Sequence, residues 1–352
     1  MSISERKKAI LDAVKAARSP VRPSTLMNSI ASSRASLNRD LKSLAETGLL
    51  ETQGKGRSTR YLAGVDPNEP PKAGRQWSST ATALFETLST SSTTRPQFQY
   101  DASFLTDYTP NLCSLLPPQL ALYLFHAGYY GQACPVQPKP GLAAQQPFEE
   151  LAWSSGCLDG ISMRLDDAKL VLNRQPHPAG LSRDALVLLN HKDAIDYIKV
   201  NAPEQDISVE SIVDVQALLM RDLVDAPLIG SIRTLPIYGC DYAPCHDPAV
   251  LHSLLASISD KARQIHNPIE AAFFTWVNLS YLQAFNFGNG STARLAANIP
   301  LLHKNCAPLS FQGVPRDDYE LALSGIYQKQ DVTAAAELFE FVYRQSAQSF
   351  YQ

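Results

Sequence analysis

The chain has 352 residues, 45% of them hydrophobic and 18% charged, with a formal net charge of −3; this composition excludes a disordered chain and gives room for a substantial core and more than one domain. No run of about 18 apolar residues occurs, and the opening MSISERKKAILDAVKAARS is charged and amphipathic without a signal-peptide stretch, so no membrane partner and a cytoplasmic location are expected. The charge is unevenly spread: residues 1–62 hold 12 Lys/Arg and 5 Asp/Glu, the remainder 19 and 29, which turns a small basic head, and not the acidic body, toward a polyanion.

In chain order, residues 4–18 read as a first helix with Ser4 as N-cap and Ile10, Leu11, Val14 and Ala17 on one face. Ser24 reads as the cap of a short second helix that turns Leu26, Met27 and Ile30 inward. A third helix follows, capped by Ser33, with Leu37, Leu41 and Leu44 at helical spacing and Gly48 as its stop. Then LLETQGKGRSTRYLA reads as strand, Gly54-Lys55-Gly56 turn and strand.

Three helices and a basic hairpin, over about residues 3–64, resemble the winged-helix DNA-binding domain. That resemblance places Arg34, Ser36, Asn38, Arg39 and Lys42 of the third helix in the major groove and Lys55, Arg57 and Arg60 of the wing along phosphates. The competing reading of the same head is a protein-interaction or dimerisation module. The organisation expected is residues 1–65 as head, 66–95 as a Pro- and Ser/Thr-rich linker, and 96–352 as body.

The body shows mostly helical patterns: FEELAWSSGCLDG, DAKLVLN, KDAIDYIKVNA, VESIVDVQALLMRDLV, AVLHSLLASISDKARQI and PIEAAFFTWVNLSYL. Only GSIRTLPIYG reads as extended, and a small β-hairpin is expected there. The fold class expected is therefore mainly α, with one small β-flap. The six cysteines are scattered without a C-x-x-C pair, so free thiols are expected. Cys240, Cys245, His246 and His252 are zinc-type residues without a familiar ligand spacing, and no metal site is expected from them.

The most informative stretch is YLQAFNFGNGSTARLAANIP, residues 281–300, where Gly288-Asn289-Gly290 joins an apolar helix to a second helical run. Backbone N–H groups of a Gly-rich turn at a helix start form an anion site. A plain tight turn, with glycines that satisfy positive φ, is the alternative.

The window Gln283 to Arg294 resembles the Fic/Doc (Fido) signature H-x-F-x-[D/E]-G-N-G-R-x-x-R, matching at Phe285, Gly288, Asn289, Gly290 and Arg294. The strip Gly230–Arg233 with Leu235, Ile237 and Tyr238 is similar to the flap on which that family aligns target peptides. Ser155, Asp159 and Gly160 resemble its inhibitory motif [S/T]-x-x-x-E-[G/N], with aspartate for glutamate. The resemblance covers about residues 97–350 and extends to a branch that carries a winged helix. It implies an all-helical body and transfer of AMP from ATP to a protein hydroxyl, in which a histidine takes the proton, an acidic side chain holds Mg²⁺, and the Gly-Asn-Gly amides with two arginines bind phosphates.

Three decisive positions differ. Gln283 cannot accept a proton near neutral pH, a loss that typically costs about 10²–10⁴-fold in rate. Phe287 cannot ligate Mg²⁺, which takes oxygen ligands, and Ser291 removes a positive charge. The expectation is a site that binds ATP, another nucleotide or a similar anion through Gly288, Asn289, Gly290, Ser291 and Arg294 beside Phe285, without ordinary catalysis. Asp159 is expected within salt-bridge reach of Arg294, either in direct contact or, its side chain being one methylene shorter than glutamate, through a bridging water. The chain then reads as a DNA-binding transcriptional regulator whose body senses a nucleotide, binds a partner protein or holds a homodimer. The alternatives are an atypical Fic adenylyltransferase and a structural adaptor.

Overall fold

A computed structural model describes residues 7, 9–10, 13–14, 21–27, 33–46, 50–53, 59–63, 76–88, 98–131, 146–173, 180–237 and 242–351. The chain divides into two units, residues 1–70 and 71–352.

In the first unit, Lys7, Ala9, Ile10, Ala13 and Val14 are helical. Helix α1 is Pro23–Leu26 and begins one residue before Ser24, with Arg22 as N-cap. The cap expected at Ser24 is thus displaced: Pro23 is pre-set at helical φ and needs no N–H donor at the first position, so it starts the helix itself. Helix α2 is Arg34–Glu46, where the Ser36 N–H donates to Ser33 Oγ at 3.2 Å, the bond expected of a serine cap. Strands β1 (Leu50–Gln53) and β2 (Arg60–Ala63) pair antiparallel, Leu50 with Ala63 and Gln53 with Arg60. Val21 and Tyr61 exchange backbone hydrogen bonds of 2.8 Å each and so tie the chain before α1 to the hairpin. Ile10, Val14, Val21, Leu26, Leu37, Leu41, Leu44 and Leu50 close one apolar core. The expected tip residues Lys55 and Arg57, the Ser4 cap and Gly48 lie outside the described residues.

The second unit is mainly helical. Helix α3 (Ser79–Thr87) is capped by Ser78, whose side chain accepts from the Ala81 N–H and whose own N–H donates to Glu337. Its Ala81 and Leu84 enter the body core, so the stretch expected as a connector contains a helix of the body. Strand β3 (Phe98–Gln99) leads to α4 (Ser103–Thr106), α5 (Pro118–Gly128), α6 (Gln146–Leu158), α7 (Leu165–Asn173), α8 (Arg183–Asn201) and α9 (Val209–Met220). Strand β4 (Tyr242–Ala243) pairs parallel with β3 and precedes α10 (Pro248–Gln264). The remaining helices are α11 (Pro268–Leu282), α12 (Asn289–Ala296), α13 (Asn298–His303), α14 (Arg316–Lys329) and α15 (Thr333–Tyr351).

Helix α11 is the axis. All 15 of its residues are buried, as an all-round apolar helix demands, and α5, α10, α12, α13, α14 and α15 pack against it. Asn267 caps it by accepting from the Ile269 N–H at 2.9 Å, and Pro268 fills its first position. No described helix is long and apolar enough to cross a membrane.

The expected β-hairpin is not formed among the described residues of 230–237. Ile232 instead bridges antiparallel to Phe285, and the Arg233 N–H donates to the Ala284 carbonyl at 3.0 Å. The strip finds its backbone partners on the loop after α11, which removes the need for a partner strand of its own.

Candidate functional site

The loop between α11 and α12 carries the site. Helix α11 ends where Gln283 takes left-handed backbone angles, φ 48 and ψ 58. A non-glycine residue pays for that conformation, and here the Gln283 carbonyl is held by Arg233 Nε at 2.7 Å. Arg233 is itself fully buried and also donates to the carbonyls of Leu235 and Cys245. One guanidinium therefore joins the strip, the start of the motif and the approach to α10.

Asn289 closes the loop on itself. Its Oδ1 accepts from the Phe285 N–H at 2.9 Å and its Nδ2 donates to the Phe285 carbonyl at 2.7 Å. Phe285, expected beside a ligand, is only 2% exposed and belongs to the apolar core. The side chains of both residues thus serve the loop's shape. Gln216 completes the frame: its Nε2 donates to the Phe287 carbonyl at 3.1 Å, and its Oε1 accepts from the Gly230 N–H at 2.6 Å.

The two glycines answer different needs. Gly288 has φ 73, and a Cβ there would meet Met220 Cε at 2.7 Å, so turn geometry and close approach both require glycine. Gly290 lies inside α12 without positive φ, and a Cβ would meet only Arg294 Nη1 at 3.1 Å. The tight-turn reading accounts for the first and leaves the second. Asn289, Gly290 and Ser291 form the first turn of α12, whose N–H groups have no intrahelical acceptor. Ser291 directs its hydroxyl back to the Gly288 carbonyl at 3.3 Å.

Arg294 turns inward. It is 2% exposed; Nε donates to Ser155 Oγ at 3.0 Å, and Nη2 donates to the Ser155 carbonyl at 3.0 Å and to Asp159 Oδ1 at 2.5 Å. The contact with Asp159 is direct and within the salt-bridge reach expected, and the end of α6 also bonds the guanidinium through Ser155. The ring of Tyr319 lies 5.2 Å from the guanidinium carbon, a cation–π contact. Burial by itself would lower the Arg294 pKa, and the Asp159 carboxylate more than restores it, to above the ordinary value. Burial likewise pushes Asp159 up, but Arg294 and then His191 hold its carboxyl well below the usual carboxylate range. Gly160, with φ 99, ends this helix.

His191 of α8 supplies the other half of the Asp159 site. Its Nε2 lies 3.3 Å from Asp159 Oδ2 and its Nδ1 2.8 Å from the Val187 carbonyl, with 1% of the residue exposed. No sequence motif marks His191, Gln216 or Tyr319, and in the sequence Arg233 stands out only as part of the flap-like strip. Polar residues inside apolar helical patterns were the one available signal.

At the rim, Gln283 is half-buried and Phe287 is 48% exposed. The divalent cation implied by the resemblance does not fit here: Phe287 presents no oxygen ligand, and no His, Cys, Asp and Glu cluster able to hold a metal occurs among the described residues. Leu235 is 67% exposed and Ile237 half-buried, while Tyr238 lies outside the described residues. In the head, Arg34, Asn38, Arg39, Lys42 and Arg60 are exposed and Ser36 is half-buried.

Residues 206–301, which contain this loop, match the family model described as the Fic/DOC family. The body has a Fic-like fold. Over 184 residues the chain is 26% identical to "Protein adenylyltransferase Fic" of Nematostella vectensis, a match covering 50% of this chain and 43% of that protein. It is 26% identical over 121 residues to "Protein adenylyltransferase fic-1" of Caenorhabditis briggsae, covering 34% and 24%. The match thus spans less than half the length of either curated relative. Among solved structures, a Fic-1 variant from C. elegans superposes with a TM-score of 0.55 at 18% identity, over 66% of this chain and 71% of that one. At that identity the likeness speaks for the fold alone.

Proposed function

We propose that the Fic-like body is a ligand-binding module that keeps the phosphate-reading helix start but not the groups for ordinary adenylyl transfer, and that Asp159 holds it closed by occupying Arg294. The observation that carries this reading is the state of Arg294: the one cation of the motif is buried and bonded to Ser155 and Asp159, the space where a terminal phosphate would otherwise sit. Gln283 provides no proton acceptor at the rim. An ATP-like anion would have to displace Asp159 before it could take a bidentate contact from Arg294.

The head is proposed to bind duplex DNA, which makes the chain a regulator whose body answers to a nucleotide or to a partner protein. The exposed Arg34, Asn38, Arg39 and Lys42 on one helix and Arg60 on the hairpin support this. Replacing Lys55, Arg57 and Arg60 together should flatten the dependence of log affinity on log salt by about three units, roughly 0.9 for each lost phosphate contact. Binding to duplex DNA that is absent, or indifferent to salt, makes the head a protein-interaction module.

A second reading, an atypical adenylyltransferase acting on a protein hydroxyl, is favoured by the names of the two relatives. Calorimetry with ATP separates the two. Our reading expects feeble binding by the wild type, at least about tenfold tighter binding by Asp159→Gly, equivalent to ~1.4 kcal/mol, no Mg²⁺ requirement, and loss when Arg294→Ala is added. Strictly Mg²⁺-dependent binding by the wild type favours the enzyme.

A further inference from the structure

Both ring nitrogens of His191 face oxygen acceptors: Nδ1 the Val187 carbonyl at 2.8 Å and Nε2 Asp159 Oδ2 at 3.3 Å. A neutral imidazole has one N–H donor and one bare nitrogen, so either neutral tautomer turns a lone pair toward an oxygen; only the imidazolium turns an N–H and a positive charge toward both. The shorter contact, to a carbonyl that can only accept, assigns the proton of the neutral form to Nδ1. The bare nitrogen then faces the carboxylate, and the ring is 1% exposed, too buried for bulk water to relieve the contact.

We propose that His191 is a proton-operated clasp on Asp159, so that protonation tightens the Asp159–Arg294 closure and deprotonation loosens it. This rests on the reading that Asp159 closes the site. Asp159 is bonded at Oδ1 by Arg294 from α12, and its Oδ2 lies 3.3 Å from His191 Nε2 of α8, a buried nitrogen that makes no hydrogen bond among the described residues. Removing the proton converts the second contact from attraction to repulsion and leaves Arg294 as its one cationic partner among the described residues.

The neighbouring charges leave His191 with Asp159. No other carboxylate among the described residues lies within 4.0 Å of its nitrogens. On α8 itself, Lys192 and Lys199 pair with Asp196, Asp193 pairs with Arg221 after α9, and Asp184 accepts from the Ser162 N–H. From α9, Asp214 accepts from Tyr197. From α7 and α6, Asn173 donates to Glu149. His303 of α13 meets the far end of α8, at the Ala202 carbonyl and Asp206. The sign follows from the geometry: Arg294 helps to hold the Asp159 carboxyl ionised, so a proton gained at Nε2 tightens the clasp and a proton lost there releases it.

The test uses full-length protein labelled with ¹⁵N-histidine. Long-range ¹H–¹⁵N correlation across pH should show His191 protonated at Nδ1 alone in its neutral form and at both nitrogens in its charged form, and Asp159→Asn should change the pH at which Nε2 takes its proton. Hydrogen exchange of the Asp159 and Ile161 amides, corrected for intrinsic rates, should slow several-fold from about pH 7.5 to 5.5 in the wild type and not in His191→Gln. A His191 titration indifferent to Asp159→Asn, or protection with the same pH dependence in His191→Gln, overturns the clasp. If His191 titrates as expected while Asp159→Gly leaves ATP binding unchanged, the clasp stands and the closure of an anion site fails.

Discussion

The first half of the Gln283–Arg294 segment differs from the second in where its side chains go. From 283 to 287 the backbone is anchored by Arg233, Asn289 and Gln216 while the side chains of Gln283 and Phe287 reach the rim. From 291 to 294 every residue is buried. A rim position can change from a proton acceptor or metal ligand to glutamine or phenylalanine without touching the core that fixes the loop, whereas the inner half cannot change without cost to the fold. A Fic-like fold can therefore outlast the chemistry implied by its motif, and the fold by itself is weak evidence of activity.

The largest effect expected from breaking this contrast is in the inner half. Arg294→Ala removes the buried partner of Asp159 and the bonds to Ser155; because the Asp159 side chain is 26% exposed, the orphaned carboxylate is partly hydrated and the cost should fall near the low end for such pairs, about 3 kcal/mol by denaturant unfolding. A loss below about 1 kcal/mol, the scale of a surface pair, would mean that the lock contributes nothing to the fold. The acid limb carries the sign: the folded pKa of Asp159 is depressed, so its contribution is present above the ordinary carboxylate range and is lost as pH falls through the folded value. Arg294→Ala should flatten that limb.

The glycines give a smaller contrast within three residues. Gly288→Ala must accept positive φ and displace Met220, which should cost about 1–3 kcal/mol. Gly290→Ala has ordinary helical angles and gains up to about 1 kcal/mol of helix propensity, set against one tight contact with Arg294, so it should stay within about 1 kcal/mol of the wild type. Equal losses at the two positions would return both glycines to a plain turn.

Most of the body's helices were legible because the signals are local. Asn267-Pro268 and Asp247-Pro248 mark the starts of α11 and α10 through capping oxygens and a preformed φ, and the all-apolar run of α11 announces a buried helix. Asp159 and Arg294 were legible as a pair through motif resemblance. The rest depends on partners far along the chain. Phe98 pairs with Tyr242 in a two-residue parallel ladder, too short to leave a periodic pattern. Ile232 bridges to Phe285, more than fifty residues on, and has no hairpin partner among the described residues, and His191 looks like any polar residue inside a helix until α6 brings Asp159 to its ring.

The central claim is that the loop retains a phosphate-reading helix start without the chemistry of transfer. Incubation of full-length Asp159→Gly with labelled ATP, Mg²⁺ and a cell lysate tests it most directly, with Asp159→Gly/Arg294→Ala as background. The account predicts that the single variant binds ATP and transfers no label to protein above that background; label transferred by Asp159→Gly and lost in the double variant would contradict it.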